Sequence, residues 1–346
     1  MLNRVSWLSI LLSAAISPAF GQSVIAQIPA PGVTTGVAVN PLSNRVYVAS
    51  ISSSEESRAL VSLVDKNTRT VLNTLALGFD TPGRIMLNPV TQKIYMQACN
   101  FLKLAEPVCD LLVLNGSLDT ILADLPDTGP PLAIDPGLNR VYIPNAAGYA
   151  VLDGKTDQVI GQIDLPGGGA VAIDISRHRL YSIVNGSKLA VVDLRANRVR
   201  KLKAIEPNAE LLAINPLTHR AYITHPDFET SNPSKLTVLD LDNFHVRAHI
   251  PVAPAPRGVF VDVRANIIFV ADDSGLTAID GASNRITTAI PQATSAEPDL
   301  ATGLVYATTS LVFFDDLFPQ ADFSGRVDVI QEPARRHRED RDRDRD

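Results

Sequence analysis

A segment of about fourteen residues is written seven times along this 346-residue chain. In its first copy, Gly36 to Ser50, an alternating apolar run (Val37-Ala38-Val39) is followed by Asn40-Pro41-Leu42-Ser43-Asn44 and then Arg45-Val46-Tyr47-Val48-Ala49-Ser50. The segment returns at Ile85–Ala98, Leu132–Asn145, Val171–Val184, Leu212–His225 and Val259–Asp272, and in degraded form at Pro298–Thr309. Its aromatic anchors are Tyr47, Tyr95, Tyr142, Tyr181, Tyr222, Phe269 and Tyr306, spaced by 48, 47, 39, 41, 47 and 37 residues. A repeat of this period is one supersecondary unit, and each copy needs its neighbours to bury its apolar face.

Each copy reads as four short strands. The alternating run is the first strand. The Asn-Pro-Leu-Ser-Asn segment is a turn, because Pro, Asn and Ser favour turn geometry. The Tyr-bearing segment, rich in β-branched residues, is the second strand. After a variable loop, a third strand ends in an acid or amide: Asp65, Asn115, Asp153, Asp193, Asp240, Asp280 and Asp328. A short turn such as Lys66-Asn67-Thr68 leads to a fourth strand, Val71 to Leu77. Four antiparallel strands at this period predict an all-β chain folded as a seven-bladed β-propeller. The last copy has a third strand, Arg326 to Ile330, and no fourth after it. Val24 to Pro29 precedes the first copy and resembles Val159 to Pro166, a fourth strand. The N-terminal strand is therefore expected to close the last blade and hide its edge.

The motifs Tyr47-Val48-Ala49-Ser50, Tyr142-Ile143-Pro144-Asn145 and Tyr222-Ile223-Thr224-His225, each followed by its Val-x-Asp-like third strand, resemble the YVTN-repeat (YncE-like) seven-bladed propellers. The resemblance covers Val24 to Ile330. It implies the architecture; relatives serve varied binding roles, and some are enzyme subunits or lactonases. The single Trp is Trp7. Propeller classes defined by repeated Trp-Asp dipeptides, Trp-ended Asp boxes or tryptophan docking motifs fit less well.

Arg4, the apolar run Trp7 to Ile16, the break at Ser17-Pro18 and the small residues Ala19 and Gly21 read as an export signal, too short to span a bilayer. The expected division is a signal peptide over 1–21, the propeller over 22–333 and a disordered mixed-charge tail over 334–346. The tail alternates Arg and Asp and has no apolar residue after Ala334. The destination is the periplasm or the exterior. The full chain carries 31 Lys+Arg and 37 Asp+Glu, a net charge of −6; without Arg4 and the tail, 24 and 32 remain, or −8. An acidic body argues against nucleic-acid binding.

Cys99 and Cys109 are the only cysteines and flank the second copy's variable loop. They are expected to meet across a hairpin as a disulfide worth about 2–4 kcal/mol; the rival is two free thiols or half a metal site. Function is expected on the loop-rich face, where long loops leave copies one, two, five and seven. Asp80, Arg84, Glu210 and Arg257 are expected to ring the channel mouth there. Arg84 and Arg257 can grip a carboxylate or phosphate, or simply pair with neighbouring acids. His225 opens the long loop of copy five, followed by Asp227 and Glu229. It is a solvated loop histidine by default, and a catalytic base or metal ligand otherwise. His178 and His219, in equivalent tight turns, are expected to be solvated. The repeated third-strand acids are read as turn formers. No cofactor is called for. The leading expectation is a monomeric binding or scaffold propeller for a partner protein or small ligand. The alternative is an enzyme: a lactonase-like hydrolase or a dehydrogenase-associated subunit.

Overall fold

The computed structural model describes residues 23–52, 58–101, 108–126, 129, 133–227, 233–313 and 322–331. The expected leader, the tail, Glu229 and the middles of the four long loops lie outside the described residues. Within them, seven sheets of four antiparallel strands form a ring. The innermost strands are Val33–Val39, Thr81–Asn88, Ala133–Asp135, Gly168–Asp174, Leu212–Asn215, Gly258–Asp262 and Ala293–Asp299. Each contacts the innermost strands of its neighbours, so together they wall a central channel.

The Tyr-bearing strands are buried along nearly their whole length, as in Arg45–Ile51, whereas fourth strands such as Val71–Ala76 are exposed. Packing between two flanking blades explains why the second strands read as continuous apolar runs. The core is accordingly distributed between blades. Tyr47 and Ala38 of the first blade pack with Ile94, Met96, Leu112 and Leu114 of the second.

The polar parts of the repeat hold neighbouring blades together. The Tyr47 hydroxyl and the Arg45 guanidinium both donate to the Gly116 carbonyl, at 2.9 Å each, in the next blade's turn. Tyr95 donates to Asp157 at 2.7 Å, and Arg140 to the Leu194 carbonyl at 2.6 Å, in the same sense. Tyr47 and Tyr95 therefore tie neighbouring blades through their hydroxyls, whereas the buried hydroxyls of Tyr142 and Tyr222 find no partner among the described residues. Closure is as the sequence predicts: Ser23–Ala30 pairs with Asp322–Gln331, with Ile28 opposite Val327. Both strands run longer than the expected Val24–Pro29 and Arg326–Ile330. Lys66 of the first blade then reaches Asp299 of the seventh at 2.9 Å, with both side chains nearly inaccessible.

Five of the six third-strand acids form the turns assigned to them; Asp328 instead lies inside the strand Asp322–Gln331, buried, where its carboxylate accepts from the Thr309 hydroxyl and pairs with Arg326, because the register of the last blade places Gln331 at the turn position. Asp65, Asp153, Asp193, Asp240 and Asp280 each accept backbone N–H donors two and three residues ahead, at 2.7–3.1 Å. Cys99 and Cys109 sit directly opposite each other on paired strands and form a disulfide, with Cα atoms 4.1 Å apart. The two turn histidines differ from expectation. His178 is bonded to Asp135 of the preceding blade at 2.6 Å, and His219 to Asp242 at 2.9 Å. Both adopt left-handed backbone, with φ of 49° and 52°. Ring curvature brings His178 and Asp135 together from adjacent copies, a proximity invisible within one copy, whereas His219 and Asp242 belong to the same blade.

Candidate functional site

The segments joining successive blades and the loops between second and third strands emerge on one face. Where Glu206–Glu210 meets the loop that begins at His225, between the fourth and fifth blades, they enclose a cup of about 890 Å³. Its walls include Glu206, Glu210, His225, Asp227 and Lys235. Strand pairing sets Lys235 opposite His225, and Lys235 forms an ion pair with Glu206, which also holds His249 at 3.2 Å. The Asp227 amide donates to the Ser234 hydroxyl at 3.1 Å, tying the two ends of the loop.

His225 is 7% exposed. Its Nδ1 lies 2.8 Å from the Pro207 carbonyl, which accepts the proton. In the neutral ring Nε2 is then an acceptor, and this buried atom has no partner among the described residues. Burial pushes the imidazole below its ordinary value, against the stabilising bond to Pro207. The ring is therefore neutral at neutral pH and presents one unused lone pair beside a cup lined by acids.

The remaining expected residues are distributed differently. Asp80 is buried, and its carboxylate accepts from the Phe101 amide at 3.0 Å and the Thr81 hydroxyl at 2.9 Å. It ties a blade junction to the loop beside it. Glu210 faces the cup. Arg84 and Arg257 line the central channel, which encloses about 470 Å³. The exposed Arg257 pairs with Asp273, Nη2 to Oδ2 at 3.1 Å. Arg84 has no such pairing among the described residues. His225 is thus grouped with Glu210 and Asp227, and apart from the two arginines. No group of three or more His, Cys, Asp or Glu side chains suited to a metal ion occurs among the described residues.

Glu297, which belongs to no motif of the repeat, also lines the channel. Opposite the aromatic anchor, the first six copies carry Ala38, Met86, Ala133, Ala172, Ala213 and Phe260, and the seventh carries Glu297. Copy-to-copy comparison at that position is the signal that finds it. Glu297 and Arg84 both meet channel water, but protein encircles them, so the screening is weaker than in bulk. Desolvation pushes the Glu297 carboxyl up to about 7, with Arg84 pulling the other way. It likewise lowers the Arg84 guanidinium, opposed by Glu297.

On the opposite face a groove of about 530 Å³ between the same two blades is lined by Arg177, Arg179, Arg195, Arg200 and Lys201. Much of that charge is engaged: Arg200 with Asp193 at 2.6 Å, Arg177 with Asp242 at 3.4 Å, and Lys201 over the Phe244 ring at 4.1 Å.

No protein-family model matches the chain, and comparison with curated proteins finds no significant relative. The β-propeller architecture, the disulfide and the cup are therefore the basis for function. The disulfide fits a periplasmic or extracellular protein, and among the described residues no helix is long and apolar enough to cross a membrane.

Proposed function

We propose that the protein is an exported binding propeller of the YVTN-repeat kind, which recognises a partner protein or small ligand through the cup between its fourth and fifth blades. The observation that carries this reading is the convergence of Glu210, His225 and Asp227 on one concavity beside an unused, buried imidazole acceptor. A buried acceptor without a partner costs about 1–3 kcal/mol. A ligand N–H or O–H donor recovers that cost where binding opens Nε2 to the cup, since the atom has almost no exposed surface in the free protein. Glu210 adds negative charge while Lys235 is occupied by Glu206, so the preferred partner group is cationic or rich in hydrogen-bond donors. Binding function on loops carried by a rigid scaffold is a common arrangement.

The test is capture of partners from an envelope extract by immobilised mature protein. A Glu210→Lys/Asp227→Lys variant with unchanged melting temperature is expected to lose the captured species, and Arg195→Glu on the opposite face to retain it. Equal capture by all three proteins would move recognition away from the cup.

A further inference from the structure

On the face opposite the cup, the basic groove between the fourth and fifth blades lies where the repeat's own clamp is not made. In four copies the base that opens the second strand holds the next blade. Arg45, Lys93, Arg140 and Arg220 donate to the carbonyls of Gly116, Lys155, Leu194 and Gly281. Arg179 has the same place in the fourth copy and is exposed in the groove. Among the described residues it has neither a carbonyl of the fifth blade nor a carboxylate as partner. Arg177 makes the crossing instead, to His219 Nε2 at 2.6 Å and to Asp242 at 3.4 Å, both of the fifth blade. The other copies carry Ser43, Thr91, Leu138, Thr218, Ala265 and Thr302 where the fourth carries Arg177.

Arg179 is thereby left over, beside the Tyr181 hydroxyl. Tyr181 is 1% exposed and lines the groove. Its counterparts Tyr47 and Tyr95 give their protons to the next blade's turn, but the Tyr181 hydroxyl has no acceptor among the described residues. The outer strand adds charge. Opposite Val191 stands Lys201, over the Phe244 ring. At that register position the other sheets carry Ala26, Asn73, Ala123, Gly161, Ala248 and Thr288. A place that six sheets fill with an uncharged residue needs no cation in order to fold.

Five bases and two acids line the groove, a surplus of three positive charges on a body of net −8. Both acids are engaged, Asp193 by Arg200 and Asp242 by Arg177. Arg179, Arg195 and Lys201 are left without a carboxylate among the described residues. A phosphate monoester carries a charge of about −1.5 to −2 near neutrality and offers three acceptor oxygens. The planar donor fork of arginine matches those oxygens. A space of about 530 Å³ is of the size that holds a small ligand.

We propose that this groove is a binding site for a small phosphate monoester, whose oxygens are gripped by Arg179, Arg195 and Lys201 and accept a hydrogen bond from the Tyr181 hydroxyl. The site is separate from the cup and stands or falls independently of it.

Titration calorimetry of the mature protein with glycerol 3-phosphate at low salt tests this, and saturable binding is expected. The variants borrow residues that other copies carry at the same places: Arg195→Ser as Ser117, Lys201→Ala as Ala123, and Tyr181→Phe as Phe269. Each is expected to weaken binding about tenfold. Arg198→Thr, on the same outer strand but outside the groove, is expected to leave affinity unchanged. Should one of the three variants melt below wild type, the other two decide. Bases on an exposed outer strand also keep a sheet edge from pairing with another chain; if that is their whole role, no saturable binding is seen and the proposal is overturned. It is overturned equally by an Arg198→Thr loss as large as that of Lys201→Ala, or by full affinity in Tyr181→Phe and Arg195→Ser. Flotation with vesicles containing phosphatidic acid, without binding of glycerol 3-phosphate, would also overturn it and assign the bases to a membrane surface.

Discussion

Asp240, at a turn of the fifth blade, and Glu297, in the channel wall of the seventh, are both carboxyls in contact with water, yet one sits at about 2 and the other at about 7. The turn supplies Asp240 with the Arg247 guanidinium and the amides of Asp242 and Asn243. Bonds to Thr156 and Lys155 lower Asp153 in the same way, and Arg200 with the amides of Ala196 and Arg195 lowers Asp193. The channel supplies Glu297 with no hydrogen-bond donor among the described residues. An acid that recurs in five of the seven copies is met by donors that recur with it. An acid that appears once, in a position that holds Ala, Met or Phe in the other copies, meets surroundings built for something else. The turns between third and fourth strands are where the repeat satisfies its own acids, and the channel and cup hold the carboxyl and imidazole that it leaves without a partner among the described residues.

That contrast can be broken from either side. The largest effect is expected on the turn face, at Asp299→Ala, which strands Lys66 in a nearly inaccessible site where the first and seventh blades meet. Removing one partner of a buried pair costs about 3–5 kcal/mol, to be read from urea unfolding. Replacing Cys99 and Cys109 together by Ala opens a loop of ten-residue separation, and about 2–3 kcal/mol is expected to be lost by the same measurement.

Asp240→Ala is expected to cost about 1 kcal/mol at pH 7. Because the folded-state value of this carboxyl is depressed, its contribution is complete above the ordinary 3.8 and is lost as pH falls towards 2. The wild-type and variant melting curves therefore converge in acid. Glu297→Gln is expected to give the smallest effect and the opposite sign. Its folded-state value is raised, so wild-type stability declines as pH rises from about 4.5 to about 7. The variant is spared that decline: the two melt together at pH 4 and the variant melts higher at pH 8. A variant less stable than wild type at pH 8 would place Glu297 among the satisfied acids.

The seven Tyr or Phe anchors and the third-strand acids made the blades legible in the sequence because both recur at fixed places within a local unit. Closure was legible because Val24 to Pro29 copies a fourth strand, and the disulfide because its cysteines end one strand and begin the next. Contacts between copies were not. His178 and Asp135 are 43 residues apart, and even within one copy Asp80 bonds Phe101, 21 residues on. Nothing local announces either contact. Within the cup, His225 and Asp227 were visible as a departure at the end of a strand, but their neighbours Glu206 and Lys235 come from flanking segments. Glu297 was hidden for another reason: the seventh copy is degraded, and its recognisable part begins at Pro298, one residue too late.

The most direct measurement is a carbon-13 NMR titration of the side-chain carboxyls in the mature protein. The expected result is a Glu297 midpoint near 7, with Asp240, Asp193 and Asp153 all titrating below the ordinary aspartate value of 3.8. A Glu297 midpoint near 4.5, indistinguishable from an exposed glutamate, would contradict the division between the acids the repeat satisfies and the one it does not.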